Sequence, residues 1–355
     1  MNLDDLETMR ALDARDMLSE IDGLPEQLLA GWELGQQQLL PAFTGIRQVI
    51  IAGVGGSAIG ADLFASYAAP LCRVPILVYR NYGLPAWAAG ESTLAVLCSH
   101  SGETEETLDA FRAAAVNGCR ILAITTGGAL AEQALSAGAA LWRFAHAGQP
   151  RAAVGYSFGL LLAAFHRLGL LPDPRSELGE SLAVLSQQRE SFSAVAPVFR
   201  NPAKRMAGQL MGRWVVILSS DHLEPVARRW KGQISELAKA WAQFEFLPEA
   251  DHNSLAGLFN PPALPDQMMV LFIRGASTHP RNRLRSDMTR EACMVSGMIT
   301  DFFDAPGQGR MAQIWSALQF GDYMAYYLAI AYGEDPTQVE IFDQLKQALR
   351  DLDAG

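Results

Sequence analysis

Short, uninterrupted apolar runs, each followed by residues of helical periodicity, recur along this chain and limit what it can fold into. They fall at 48–52 (QVIIA), 75–79 (PILVY), 93–99 (TLAVLCS) and 120–125 (RILAIT), and again at 214–220 (WVVILSS), 243–247 (QFEFL) and 268–273 (MMVLFI). A strand that is apolar on both faces has no side to turn to water, so it must lie between layers of helices, as in parallel sheets. The spacing predicts helices over 57–68, 104–116 and 129–137, then over 222–241, 280–294, 312–332 and 336–350. Two amphipathic helices are expected over 3–38, the second opened by Pro25 and Glu26 and followed by Pro41. Residues 153–190 read as helical with a break at Pro172 and Pro174, and Pro336 reads as the first turn of the last helix, capped by Asp335. At 355 residues the chain is comfortable for two domains. The expected fold class is α/β, with two doubly wound domains, each a mostly parallel sheet flanked by helices. The expected division is residues 1–152 for N-terminal helices and the first sheet domain, 153–200 for a helical connection, and 201–355 for the second domain with the C-terminal helices.

Charge and cysteine usage remove several function classes. The net charge of −10 argues against nucleic acid or an anionic membrane surface as partner. It leaves room for a small anion, because a helix N-terminus supplies a local positive field inside an acidic protein. No apolar run approaches the roughly 18 residues a bilayer requires. The N-terminal stretch is acidic and amphipathic and does not read as a signal peptide. Cys72, Cys98, Cys119 and Cys293 form no CxxC pair and are expected to be reduced thiols in a cytoplasmic protein. The six histidines lack metal-ligand spacing, so no metal and no cofactor is expected.

Two strand exits stand out. Residues 53–60 (GVGGSAIG) follow the first apolar run, and residues 99–107 (SHSGETEET) follow the third. The glycines at 53, 55, 56 and 60 permit tight turns and close approach of a ligand. Alone, this loop is equally a turn, a nucleotide loop or another ligand site. A nucleotide loop expects an acidic ribose partner about 20 residues on, and here the second run ends in Val78, Tyr79 and Arg80. In the second exit Ser99, Ser101 and Thr104 surround Gly102 at a helix start. Capping explains one hydroxyl and the acids that follow. Three hydroxyls and a glycine within six positions favour a cradle for a phosphate monoester.

A strand ending in G-x-G-G-S and a later one ending in S-x-S-G-x-T-x-E-T resemble the sugar isomerase (SIS) domain, which binds phosphosugars. Residues 150–159 (PRAAVGYSFG), 230–239 (WKGQISELAK), 249–257 (EADHNSLAG) and 321–349 narrow the resemblance to the bifunctional phosphoglucose/phosphomannose isomerase family, over nearly the whole chain from about residue 30. It implies two SIS domains and an aldose–ketose isomerase acting on glucose 6-phosphate, mannose 6-phosphate and fructose 6-phosphate. By position, Gly55, Gly56, Ser57, Ser99, Ser101 and Thr104 would hold the sugar and its phosphate. Arg151 would lie near the reacting carbons and Glu236 would be the proton-transfer base. His252 would open the sugar ring from across a homodimer interface, and Lys346 would assist ring opening. The family's asparagines around the glutamate are Ser235 and Leu237 here, and Asp251 precedes the histidine in place of asparagine.

The chemistry matches these residue types. One carboxylate can take a proton from C2 and return it to C1 of a cis-enediol(ate), given reach to both carbons. The developing oxyanion suits an arginine, which is always protonated. Ring opening suits an imidazole. From local sequence alone Glu236 reads as a solvated helix residue paired with Lys231 or Lys239, and Arg151, His252 and Lys346 as surface or cap residues. Two competing readings are a non-catalytic phosphosugar sensor and, on the glycine loop alone, a nicotinamide-dependent dehydrogenase.

Overall fold

The computed structural model describes residues 2–353, without the side chains of Asp343, Lys346, Gln347 and residues 350–353. Three helices open the chain: α1 (Leu6–Leu12), α2 (Met17–Asp22) and α3 (Leu24–Gln37). The first sheet region follows as β1 (Gln48–Ala52), α4 (Gly55–Ala68), β2 (Ile76–Tyr79), β3 (Thr93–Ser99), α5 (Glu105–Val116), β4 (Arg120–Thr125), α6 (Gly128–Ser136) and β5 (Ala140–Arg143). Helices α7 (Val154–Arg167), α8 (Arg175–Phe192) and α9 (Pro202–Leu210) lead to the second sheet region. That region comprises β6 (Trp214–Ser220), α10 (Glu224–Leu237), β7 (Ala242–Leu247), β8 (Met268–Gly275), α11 (Pro280–Val295) and β9 (Ile299–Ala305). Helices α12 (Arg310–Tyr332) and α13 (Glu340–Asp353) end the chain.

Both sheets are wholly parallel, in the orders β2-β1-β3-β4-β5 and β7-β6-β8-β9. The α/β reading therefore holds. Strand residues alternate between two cores. In the first sheet Ile50, Ala52, Ala95 and Leu97 pack with Phe111 of α5 and Leu130 of α6. On the other face Val49, Ile51, Val96 and Cys98 join Phe64 of α4 and Phe158 of α7. In the second sheet Val215, Ile217, Met269 and Leu271 face Trp230 of α10 and Trp315 of α12, and belong to that same cluster. The inner faces of both sheets thus share one core, with α4, α7, α10 and α12 between them. No helix among the described residues is long and apolar enough to cross a membrane, and the four cysteines form no disulfide.

Several elements differ from the sequence reading. Residues 3–38 form three helices where two are expected. Strands β5 (ALWR) and β9 (ITDFFDA) and helix α9 have no counterpart in that reading. Both strands are sheet edges, where burial is incomplete, and neither shows a long apolar run. The helix expected to reach residue 241 stops at Leu237, and Lys239 adopts a left-handed conformation with φ 52°. The last helix begins at Glu340, beyond Pro336, and Asp335 Oδ1 accepts from Thr337 N at 2.7 Å in a local turn.

Inside the shared core, Arg229 of α10 donates to Asp322 of α12 from Nε at 3.0 Å and from Nη2 at 2.8 Å. Both side chains are 4% exposed. Removing one partner of such a pair leaves the other charge buried and unpaired. Asp322→Ala is expected to cost about 3–5 kcal/mol, read as a lowered urea midpoint.

Candidate active site

In the order β2-β1-β3-β4-β5 the connections from β1 and from β3 leave on opposite faces of the sheet. Beyond the carboxyl ends of these two neighbouring strands a crevice opens, the usual ligand position in a doubly wound sheet. Both strand exits identified in the sequence lie there, because β1 and β3 pair in register through Ala52 and Leu97. The glycine loop enters α4, with Gly55 at its first residue and Ser57 buried in its first turn. Gly56 is pressed against another segment: a Cβ there would lie 2.4 Å from Pro150 O and 3.0 Å from Arg151 Cα. This contact seats the turn Pro150–Ala152 beside the loop.

The hydroxyl loop is internally ordered. Ser99 Oγ accepts from Gly102 N at 3.0 Å and lies 2.8 Å from Thr104 Oγ1. Ser101 Oγ is exposed and accepts from Glu103 N at 3.2 Å. Gly102 has φ 74°, and a Cβ there would come within 1.9 Å of Gly127 O, so only glycine fits. The capping alternative meets a different geometry. Thr104 occupies the N-cap of α5 without a side-chain cap bond, and Glu103 turns away to accept from Ala129 N at 2.9 Å. The N-terminus of α5 keeps its donors uncapped by side chains, with the hydroxyls beside it.

Arg151 lies on the opposite side of the glycine loop and is 7% exposed. Its Nε donates to Glu236 Oε2 at 2.7 Å and its Nη1 to Thr337 O at 3.0 Å. Glu236 occupies the last turn of α10, with its side chain 30% exposed. The two border a cleft of about 250 Å³, together with Gly55, Gly56, Arg80, Arg228, Arg229, Lys231 and Gln233. Asp62 is paired with both Arg80 and Arg228. A carboxylate thus faces a pocket whose other charged lining groups are cations. Sequence reasoning did not select Arg228, Arg229, Lys231 or Gln233, although the basic run 228–231 just before Glu236 was available as a signal. Arg80, weighed only as a 2′-phosphate partner, belongs to this cleft.

The remaining expected residues are placed elsewhere. Ser57, Ser99, Ser101 and Thr104 do not border this cleft; Ser57 directly follows Gly56, which does, and the other three lie at the exit of the neighbouring strand β3. His252 is exposed at the end of the turn Glu249–His252 and does not border the cleft. Strand β7 explains why: Phe244 points to the cleft, whereas Gln243 and Glu245 point to an apolar cavity beneath the loop that carries His252. Asp251 accepts from Arg285 Nη1 at 2.8 Å and Thr289 Oγ1 at 2.9 Å, tying that loop to α11. Leu237 is fully buried in the shared core, an apolar position for which the departure from asparagine is suited. Lys346 falls on α13, and its side chain lies outside the described residues.

Paired doubly wound sheets with glycine and hydroxyl loops at one switch point define a protein of the sugar isomerase class. A family model described as the bacterial phospho-glucose isomerase C-terminal SIS domain matches residues 199–349. The bifunctional phosphoglucose/phosphomannose isomerase of Caldicellulosiruptor bescii is 36% identical over 95% of this chain and 99% of its own length. The protein of the same name from Aquifex aeolicus is 30% identical over 90% of this chain and 94% of its own. The chain therefore belongs to the bifunctional phosphoglucose/phosphomannose isomerase family. Among solved structures, a hypothetical protein from Thermus thermophilus shares the fold, with a TM-score of 0.73 at 17% identity, covering 98% of this chain and 94% of that one.

Two histidines give the structure an acid sensitivity. His100, in the hydroxyl loop, is pushed down from 6.5 to about 4, first by burial and then by neighbouring His146. His222, after β6, is pushed down from 6.5 to about 4, first by burial and then by Arg310. Both shifts favour the neutral ring in the folded state, so the unfolded chain binds more protons between these values. Their contribution to stability is complete above pH 6.5 and is lost as pH falls from 6.5 towards 4. The urea midpoint should fall over that range, and the slope above about pH 5, before most carboxylates titrate, should be shallower in His222→Gln.

Proposed function

We propose that the chain interconverts glucose 6-phosphate and mannose 6-phosphate with fructose 6-phosphate by proton transfer through a cis-enediol(ate). The observation that carries this reading is the 2.7 Å Arg151–Glu236 pair on the wall of a cation-lined cleft beside the glycine loop. Glu236 takes the proton from C2 of the open-chain aldose and delivers it to C1. Arg151, held from its other side by Thr337 O, meets the enediolate oxygen with a guanidinium that needs no reorganisation. Ser57, Ser99, Ser101 and Thr104, with the backbone at Gly55 and Gly56, hold the phosphate and sugar hydroxyls. Rotation about C2–C3 of the open chain presents either epimer's C2–H to the same base, which accounts for two aldose substrates. In this reading residues 1–152 hold the N-terminal helices and the first SIS domain, 153–200 form a helical connection, and 201–355 hold the second SIS domain with the C-terminal helices.

Ring opening calls for a further acid–base group, and among the described residues no histidine borders this cleft, His252 lying on the far side of β7. A homodimer in which His252 of the partner subunit completes the site supplies it, and Lys346 assists from α13. The exposed position of the histidine on its loop fits that role. The pairing of Arg151 with Glu236 speaks against a silent sensor, which has no use for a base held against a guanidinium.

Glu236→Gln should lower kcat for fructose 6-phosphate formation by about 10²–10⁴ while the sugar phosphate still raises the melting temperature. Full activity in this variant sinks the assignment. Turnover of the unaltered protein should persist in EDTA. Mixing Glu236→Gln chains with His252→Gln chains should restore activity, because each mixed dimer carries one intact site. Failure to restore it, with mixed dimers present, rules out donation across an interface.

A further inference from the structure

His100 sits between Ser99 and Ser101 in the hydroxyl loop, and it ends a hydrogen-bonded chain that begins far away in sequence. His146 Nε2 lies 2.9 Å from Glu20 Oε2 on α2, and His146 Nδ1 lies 2.9 Å from His100 Nε2. A carboxylate only accepts, so His146 donates from Nε2, and a single proton is shared between His146 Nδ1 and His100 Nε2. His146 has a side chain 7% exposed and both ring nitrogens occupied. The His100 ring also meets Phe144 edge-on at 5.8 Å, and its backbone carbonyl accepts from Thr126 N at 3.1 Å and Thr126 Oγ1 at 2.7 Å. Gly148 leaves room for the assembly: a Cβ there would lie 1.8 Å from Glu20 Oε1 and 2.9 Å from His146 Cε1.

His100 directly follows the last residue of β3 and begins the bend that carries Ser101 and Gly102. With its ring and its carbonyl both held by distant partners, the backbone from which the Ser99 and Ser101 hydroxyls project is restrained. We propose that Glu20, His146 and His100 form a positioning relay that holds the hydroxyl loop in its phosphate-binding shape. This makes phosphate affinity depend on the N-terminal helices. The proposal rests on the reading that the 99–104 loop receives the phosphate. The relay touches no reacting atom, so it governs binding of the phosphate and not the proton transfer.

Gly148→Ala tests this in the full chain, since the added methyl displaces the flexible end of Glu20 and removes no functional group. The KM for fructose 6-phosphate and the dissociation constant of inorganic phosphate, measured by calorimetry, should both rise about tenfold, with kcat within about twofold. Unchanged constants, or a fall in kcat with KM unchanged, overturn the proposal. His146→Phe, which keeps a ring beside Tyr156 but no hydrogen bonds, should shift the same two constants and serves if Gly148→Ala melts early. Ser101→Ala separates the two ideas. If it leaves both constants unchanged, the phosphate reading fails and the relay with it. If it raises them while Gly148→Ala and His146→Phe do not, only the relay fails.

Discussion

The inner faces of the two sheets are buried against one shared layer of helices, and the site geometry follows from that burial. Helix α7 packs against α3 and α4, and α10 packs against α4 and α12. Arg151 lies in the turn that leads into α7, and Glu236 sits in the last turn of α10. Two residues separated by 85 positions then meet at 2.7 Å. Dispersion and hydrophobic burial over many side chains set such a distance more firmly than a single ion pair could, because a packed core has little freedom to slide. Gly56 and Gly321 mark how tight the layer is: Pro150 O lies 2.4 Å from a Cβ built on the first, and Trp230 Nε1 lies 2.1 Å from one built on the second.

Electrostatics completes what packing begins. A chain of net charge −10 presents a cleft lined by arginines and a lysine. Its arginines are held in place by Asp62, Asp322 and Glu236. Overall charge therefore says little about the local field. The cations converge from the end of β2, the turn before α7 and the face of α10, so the local field is a product of folding.

Much of the architecture was legible in the amino-acid order. Buried strands such as 93–99 and 214–220 are largely apolar, and the exits of β1 and β3 carry glycines or hydroxyls that helices alone do not call for. The edge strands β5 and β9 escaped because the first has only three apolar residues before Arg143 and the second is interrupted by Asp301 and Asp304. The resemblance in residues 150–159 and 230–239 picked out Arg151 and Glu236, which local periodicity reads as ordinary surface charges. Arg228, Lys231 and Gln233 were passed over because helical sequence does not say which face meets the neighbouring sheet region. Glu20 and His146 were equally silent: each looks solvated until α2 and the segment after β5 come together.

By itself, the sequence determined that the chain builds two parallel, helix-covered sheets and that glycine and hydroxyl loops follow β1 and β3. Strand burial and turn chemistry are local properties, written in hydropathy, glycine and hydroxyl spacing. Only the tertiary structure decided that a carboxylate and a guanidinium share one wall, that five basic side chains border that cleft, and that two histidines and a glutamate stand behind the hydroxyl loop. Those are contacts between distant segments, fixed by how helices pack between sheets, and no short stretch of residues encodes them.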